Sequence, residues 1–562
     1  MFQRYTITTD PVAGSVALSA IFAALSLLTL FVLLGIVRMR AWLAALISLG
    51  VALVVAVAVY PMPVGQALLS AGEGATFGFF PILWIVLNAV WVYNLTVASG
   101  HFDTLRRSFE QVSPDQRVQA IIIAFCFGAL LEALAGFGTP VAVTVVMLMA
   151  LGFRPIQAAS VALIANTAPV AYGALATPIV TLATVTSGAS DDSRLTVDTL
   201  GATVGRQTPV LAVIVPLVLV GVVGGWRGVR QTWPAAIVAG VAFGIGQFVA
   251  SNFISVPLTD IIAALVSAAA VVALLQVWHP AMDPEQGPEQ GPETPTEAAP
   301  GATAAPTGVA VVDSRADVAR AYAPYLIIIA VFSVANLNPV KEAMARAPWT
   351  VKFSWPGLDV VNAAGQPLAS TVFTLNWLPA AGTLMIFAGL LTAAVLRVAP
   401  GRALRAYAET YVALRHAIVT VMAVLALAYV LNQSGQTTTL GVLLADTGGA
   451  FVFLSSILGW IGVAVTGSDT SSNALFGALQ VQTAARAGLD PVLMAAANSS
   501  GGVLGKMISP QNLAIAAAAV GLAGREGEIL RRVLGWSLLL LLGMCLLVTL
   551  QSTPVLGWML PT

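Results

Sequence analysis

The sequence predicts an all-α polytopic membrane protein with about 12 to 14 transmembrane helices, in two repeat-related halves that contain broken or re-entrant helices. Three observations lead there. Of 562 residues, 58% are hydrophobic and only 9% are charged, against roughly 25% charged in a soluble domain. That is too little charge to build a water-facing surface. The apolar residues fall in runs of about twenty, the length at which a helix crosses the roughly 30 Å hydrocarbon core; the ~10-residue alternation of a barrel strand is absent. Lastly, the apolar stretches 135–184 and 467–523 are interrupted by Gly, Pro, Asn, Ser and Thr. A bilayer tolerates irregular backbone only where it is buried in protein or lines a wet cavity.

Taken in order, clear spans lie near 15–37, 41–60, 78–98, 118–134, 208–224, 235–254, 258–277, 322–337, 377–397, 416–432, 449–466 and 533–551. The first has no small-residue cleavage site behind it and reads as a retained span. Arginines in short loops set the orientation. Arg38 and Arg40, Arg106 to Arg117, Arg227 and Arg230, Arg397 to Arg415, and Arg525 to Arg532 mark the cytoplasmic side. The N-terminus, a loop at 61–77 carrying only Glu73, the loop 338–376 and the tail are expected outside. Residues 280–318 are rich in Pro, Glu, Gly and Ala, cannot bury a core, and are expected to form a flexible cytoplasmic linker. It separates a first transmembrane half, 1–279, from a second, 319–562. Asn166, Gly173 and Pro178 recur at one common offset as Asn498, Gly505 and Pro510. Repeats with interrupted helices in matching places mark secondary transporters, with the site at the midplane.

The balance of charge excludes some classes. Lys and Arg number 25, as do Asp and Glu, so no basic face for nucleic acid is expected. Cys126 and Cys545 sit inside apolar runs, and His101, His279 and His416 do not cluster. Neither a disulfide framework, a metal site nor a cofactor is expected. No nucleophile–base pair appears, so the chain does not read as an enzyme.

Four polar motifs carry the chemistry. Glu132 ends an otherwise uncharged run; a carboxylate at the centre of a span costs about 2.5–3.5 kcal/mol on the insertion scale. It reads as a proton carrier or as a carboxylate near the aqueous end of its helix. Gly136, Gly138 and Pro140 follow it. A helix restarting after Gly138 offers backbone N–H groups to an anion. Asn166 and Thr167 precede Pro169 and suit either a substrate hydroxyl or carboxylate, or a bond between helices. The segment 466–473, with Ser468, Asp469, Ser471 and Asn473, has no aliphatic or aromatic side chain except threonine methyls. It is a poor membrane helix, and lines a polar cavity or forms an exposed loop. The fourth, 497–512, holds Asn498, several glycines and Lys506, the lone charge between Asp490 and Arg525. Lys506 would pair with an anionic substrate or with Asp469. Gly505-Lys506 is not a phosphate-binding loop, which needs Gly at 500 and Ser or Thr at 507, where Ser500 and Met507 stand.

Together these motifs resemble the bacterial L-lactate permease family. The likeness rests on Phe125 to Ala142, on Asn-Thr-Ala-Pro-Val-Ala at 166–171, on Thr-Gly-Ser-Asp-Thr-Ser-Ser-Asn-Ala-Leu-Phe at 466–476 and on Gly-Lys-Met-Ile-Ser-Pro-Gln at 505–511. Leu134, Thr139, Val503 and Leu504 depart from the family pattern. The resemblance implies a plasma-membrane symporter of protons with L-lactate and related 2-hydroxy monocarboxylates, D-lactate and glycolate within range. A sodium-coupled carboxylate transporter is the alternative. The expected substrate contacts are Gly136, Gly138, Asn166, Thr167, Ser468, Ser471, Asn473, Asn498 and Lys506, with helix N-termini near Gly138 and Gly502. Glu132 or Asp469 is expected to carry the proton. The partners are then the substrate, protons and the lipid bilayer.

Overall fold

The computed structural model describes residues 4–136, 138–190, 192–280, 314–335, 337–362, 365–522 and 525–561. The greater part of the expected linker, and Phe137, lie outside the described residues. Among the described residues, ten helices are long and apolar enough to cross a membrane, or eleven if the bent pair Pro155–Ala165 and Val170–Thr186 counts as one span.

All twelve runs read from the sequence fall on helices. Two differences separate twelve from ten. The runs 208–224 and 235–254 share one 58-residue stretch, Val197–Ile254, which laid straight would reach about 87 Å. It folds back at Gly225, whose φ of +59° and ψ of −160° are non-helical. Gly240 then packs on the backbone of Ala212 and Val213, and Gly244 on Pro209. The run 377–397 yields a helix of only 15 residues, Ala381–Val395.

The segment 61–77 corrects the sequence reading. It is not a loop: Val64–Phe77 is a helix, and Glu73 is buried in it. Gly74 and Gly78 leave a flat face where an added Cβ would come within 2.5 Å of Leu425 O and 2.9 Å of Met422 Cα. Close backbone approach of this kind holds membrane helices together. It also brings the Gln433 amide to Glu73 Oε2, 2.8 Å away.

The surface is apolar where a lipid-facing surface should be. Ile21 and Leu28 on the first helix, and Leu539 and Leu546 on the last, are exposed, whereas Asn473, Gln480, Gln247 and Asp260 are fully buried. With lipid outside, polar groups are satisfied only by one another.

Two ends are distinct. At one, Tyr5–Thr6 pairs in parallel with Val360–Val361, and Val351–Ser354 pairs antiparallel with Val372–Leu375. The N-terminus and the 338–376 loop therefore share an end. Lys341 reaches Asp198, 3.0 Å, and Arg206 donates to Met559 O, 2.8 Å, at this strand end. The opposite, arginine-rich end gathers Arg154, Arg525, Arg531 and Arg532. The 26-residue helix Glu526–Gln551 runs between the two, a length of about 39 Å.

Candidate functional site

The site is assembled from two helical hairpins and two interrupted helices. The first hairpin has legs Gln116–Ala135 and Thr139–Ala150. It starts at the arginine end, where Gln116 donates to Leu151 O, 3.2 Å, and turns through Gly136 to Gly138. Gly138 has φ +86° and caps the returning leg. The second hairpin has legs Phe451–Thr466 and Asp469–Ala487. It starts at the strand end, where Gln482 and Arg486 line a cleft with Ile7, Thr9 and Asn362. It turns at Gly467, φ +75°, and Ser468 Oγ accepts the N–H of Ser471 to cap the return. Both tips meet the helix Pro510–Ala519: a Cβ on Gly138 would touch Ile515, and one on Gly467 would touch Gln511.

The interrupted helices supply the remaining walls. Pro155–Ala165 stops before Pro169, and the chain bends by 62° before continuing to Thr186. Proline has no N–H to donate, so the carbonyls before it need other partners. Pro491–Gly502 tightens into the 3-10 segment Val503–Ile508 before restarting at Pro510 under a Ser509 cap. Gly502 is therefore at the C-terminal side of a helix, not at the expected N-terminus. The helix starts that face the site are Thr139, Asp469 and Pro510. Their partial positive charge favours an anion.

Lys506 lies at the centre. Its Nζ donates to Glu132 Oε1, 2.6 Å, and Asn166 Nδ2 donates to Glu132 Oε2, 2.9 Å. The expected pairing of Lys506 with Asp469 is thus corrected. Gly173 makes the pairing with Glu132 fit, since a Cβ there would stand 2.7 Å from Glu132 Oε1. Asp469 instead accepts Ser499 Oγ, 2.6 Å, and Asn473 Nδ2, 3.3 Å, on Oδ2. Its Oδ1 has no hydrogen-bond partner and stands over Gly502, within electrostatic reach of Lys506. Asn473 also donates to Pro178 O, 3.1 Å, and accepts from Asn498 Nδ2, 2.9 Å. Asn498 Oδ1 accepts from Gln480, 3.1 Å. Glu132, Asn166, Asp469 and Lys506 are 3, 4, 3 and 6% exposed, so the cluster is closed off from both ends. The open clefts at the two ends do not reach it.

The L-lactate permease family model matches residues 19–555. The chain belongs to the L-lactate permease family. The L-lactate permease of Bacillus subtilis (strain 168) is 41% identical, with all of both chains covered. The L-lactate permease of Escherichia coli (strain K12) is 41% identical over 98% of both chains. The glycolate permease GlcA of Escherichia coli (strain K12) is 41% identical over 94% of both. Among solved structures, the YdaH transporter of Alcanivorax borkumensis aligns with a TM-score of 0.48 at 16% identity, covering 88% of this chain and 89% of that one. The relatives are permeases, and this family member is a multi-pass membrane protein, not an enzyme.

The fold gathers most of the residues singled out in the sequence. Glu132, Asn166 and Lys506 form one bonded group; Asp469, Asn473 and Asn498 form a second beside it. Gly136 and Gly138 shape the first tip. Two hydroxyls serve their own helices instead: Thr167 Oγ1 donates to Ile164 O, 2.7 Å, and Ser468 Oγ is the cap already described. Ser471, buried at the start of the same helix, provides that capped N–H. The polar run 466–473 is helical from Asp469 and buried, not an exposed loop. Sequence reading missed Ser499, Ser500, Gln207, Gln247 and Asp260. Ser500 Oγ donates to Gln207 Oε1, 2.5 Å, and Gln207 Nε2 to Gln551 Oε1, 2.9 Å. Asp260 gave the same signal as Glu132, a lone carboxylate in an apolar run. Among the described residues no group of three or more His, Cys, Asp or Glu could hold a metal ion.

Proposed function

We propose that this protein imports L-lactate and related 2-hydroxy monocarboxylates, D-lactate and glycolate included, across the bacterial plasma membrane by proton symport. The named relatives support the substrate class. The observation that carries the coupling is the buried Lys506–Glu132 pair at the meeting of both breaks.

An isolated buried cation is very costly, and removing one partner of a buried pair costs about 3–5 kcal/mol. In the empty carrier Glu132 neutralises Lys506. When a proton binds Glu132, Lys506 loses its counter-charge and takes the substrate carboxylate in its place. The empty pair and the loaded pair both sum to zero, whereas either ligand alone leaves a net charge in the apolar interior. Proton and anion therefore bind and cross together. Asn166 Oδ1, buried without a partner, is an acceptor placed beside Glu132 for the substrate 2-hydroxyl. Asn473 and Asn498 hold Asp469 in the adjoining wall. A hairpin followed by an interrupted helix in each half supports reading 1–279 and 319–562 as repeats.

Uptake of labelled L-lactate into proteoliposomes tests this, with an imposed inward proton gradient and no sodium. Accumulation that a protonophore abolishes is expected. Accumulation only with sodium would replace the reading by sodium coupling. Two variants assign the roles. Glu132→Gln should exchange lactate but lose gradient-driven accumulation; unchanged accumulation removes Glu132 from the proton path. Lys506→Ala should lose uptake or bind lactate far more weakly; normal uptake removes Lys506 from the site.

A further inference from the structure

Asp260 lies in the first turn of Thr259–Leu275 and is fully buried. Its Oδ1 accepts one neutral donor, Gln247 Nε2, at 2.9 Å, and its Oδ2 has no partner. Glu132 by contrast has Lys506 and Asn166. Among the described residues, no Lys or Arg side chain is bonded to Asp260. The titratable groups facing it are Glu132, from the first hairpin, and Tyr172, in the bend of the first interrupted helix. Cys126 is further along the same packing face, against Ser267, 3.3 Å. A carboxylate withdrawn from water with so little compensation is expensive. A carboxyl that holds a proton is not.

Gln247 ties this carboxyl to the site. The same Nε2 donates to the carbonyl of Ala168, 3.1 Å, and Oε1 accepts Thr208 Oγ1, 3.2 Å. Ala168 is in the break, two residues beyond Asn166. A bond to an ionised carboxylate is about twice as strong as one to a neutral group. The charge on Asp260 therefore alters how firmly Gln247 is drawn away from Ala168.

We propose that Asp260 is a second proton-binding site that exchanges its proton once in each transport cycle and is linked to the Asn166 break through Gln247. This rests on the proton-symport reading above. A single proton on Glu132 makes uptake electroneutral. A second on Asp260 makes each lactate carry one net positive charge inward.

The test is lactate-evoked current in proteoliposomes, recorded with labelled lactate flux so that charge per lactate is read; a slower variant remains informative. The wild-type protein should carry about one positive charge per lactate, and Asp260→Asn should carry none. Equal charge ratios in the two proteins would overturn the proposal. If wild-type uptake is driven by the proton gradient but carries no current, Asp260 has no such role and the Glu132 reading stands. If the gradient drives no uptake at all, the symport reading itself fails. Should Asp260→Asn not reach the membrane, Asp260→Glu keeps the carboxyl: it should retain the charge ratio with a displaced pH–rate profile. A profile identical to wild type overturns the proposal equally.

Discussion

Asn473 joins the two interrupted helices, since one side chain bonds the carbonyl of Pro178 in the first and Asn498 in the second, besides Asp469. Truncating it to Ala strands buried partners, each at about 1–3 kcal/mol. Asn473→Ala should lower the thermal midpoint in detergent as well as uptake; an unchanged midpoint would show that water replaces it. Thr167→Val makes the opposite case. The Thr167 hydroxyl is bound to Ile164 O, so apparent KM for lactate should be unchanged, and the loss of one neutral bond, about 1 kcal/mol, should fall on stability. At this scale the sequence exposed charges but not partners. Glu132 and Lys506 each stood out as the lone charge of an apolar stretch, but they are 374 residues apart. Nothing local says that Lys506 chooses Glu132 over Asp469. That choice follows from where Gly173 leaves room.

At several crossings, glycines let the elements approach backbone to backbone. The second hairpin's first leg lies against Pro491–Gly502 so closely that a Cβ on Gly459 would stand 1.9 Å from Asn498 O, and one on Gly501 2.3 Å from Ser456 O. These are backbone atoms and cannot swing aside. Gly459→Ala should cost at least the 1–3 kcal/mol typical of overpacking and displace Asn498. Thermal melts and uptake should both fall, and a stable, active variant would refute this packing role. The same small-residue spacing recurs at Gly74 and Gly78, at Gly240 and Gly244, and at Gly501 and Gly505. It was visible in the sequence, yet hydropathy gave it no weight. That is why 61–77 read as a loop: its low hydropathy reflects glycines and one buried acid, not exposure. The run 466–473 looked unfit for a helix for a related reason. Asp469 and Asn473 are bonded by Ser499 and Asn498 of the neighbouring interrupted helix, and Ser468 supplies the cap, neither of which a composition count detects.

Across the whole molecule, segments distant in sequence are fastened at the strand end. Arg194, between the first interrupted helix and the next, bonds Asp192 at 2.7 Å and Asp490, the cap of the second interrupted helix, at 3.2 Å. The Arg194 guanidinium holds the Asp192 carboxyl below the usual carboxylate range. Its folded value is thus below its unfolded value of about 3.9. The contribution is complete above the unfolded value and is lost as pH falls through the folded one. Arg194→Ala should therefore melt below wild type near neutrality, by a small margin for so exposed a group, and the gap should shrink as pH falls below the unfolded value. A gap independent of pH would assign the effect to something other than this pair. The architecture of spans and breaks was largely legible, because span length and interrupted backbone are local properties. The long-range contacts that close these elements on one another were not. The pairing of Lys506 with Glu132 also constrains how the protein is made. At about 5–20 residues per second, translation reaches position 506 roughly 20–75 s after it passes 132. During that interval the first hairpin has no Lys506 to meet. Either it waits outside the bilayer core, or it enters with a proton standing in for the absent cation, so that assembly rehearses the state in which the finished carrier would release its pair.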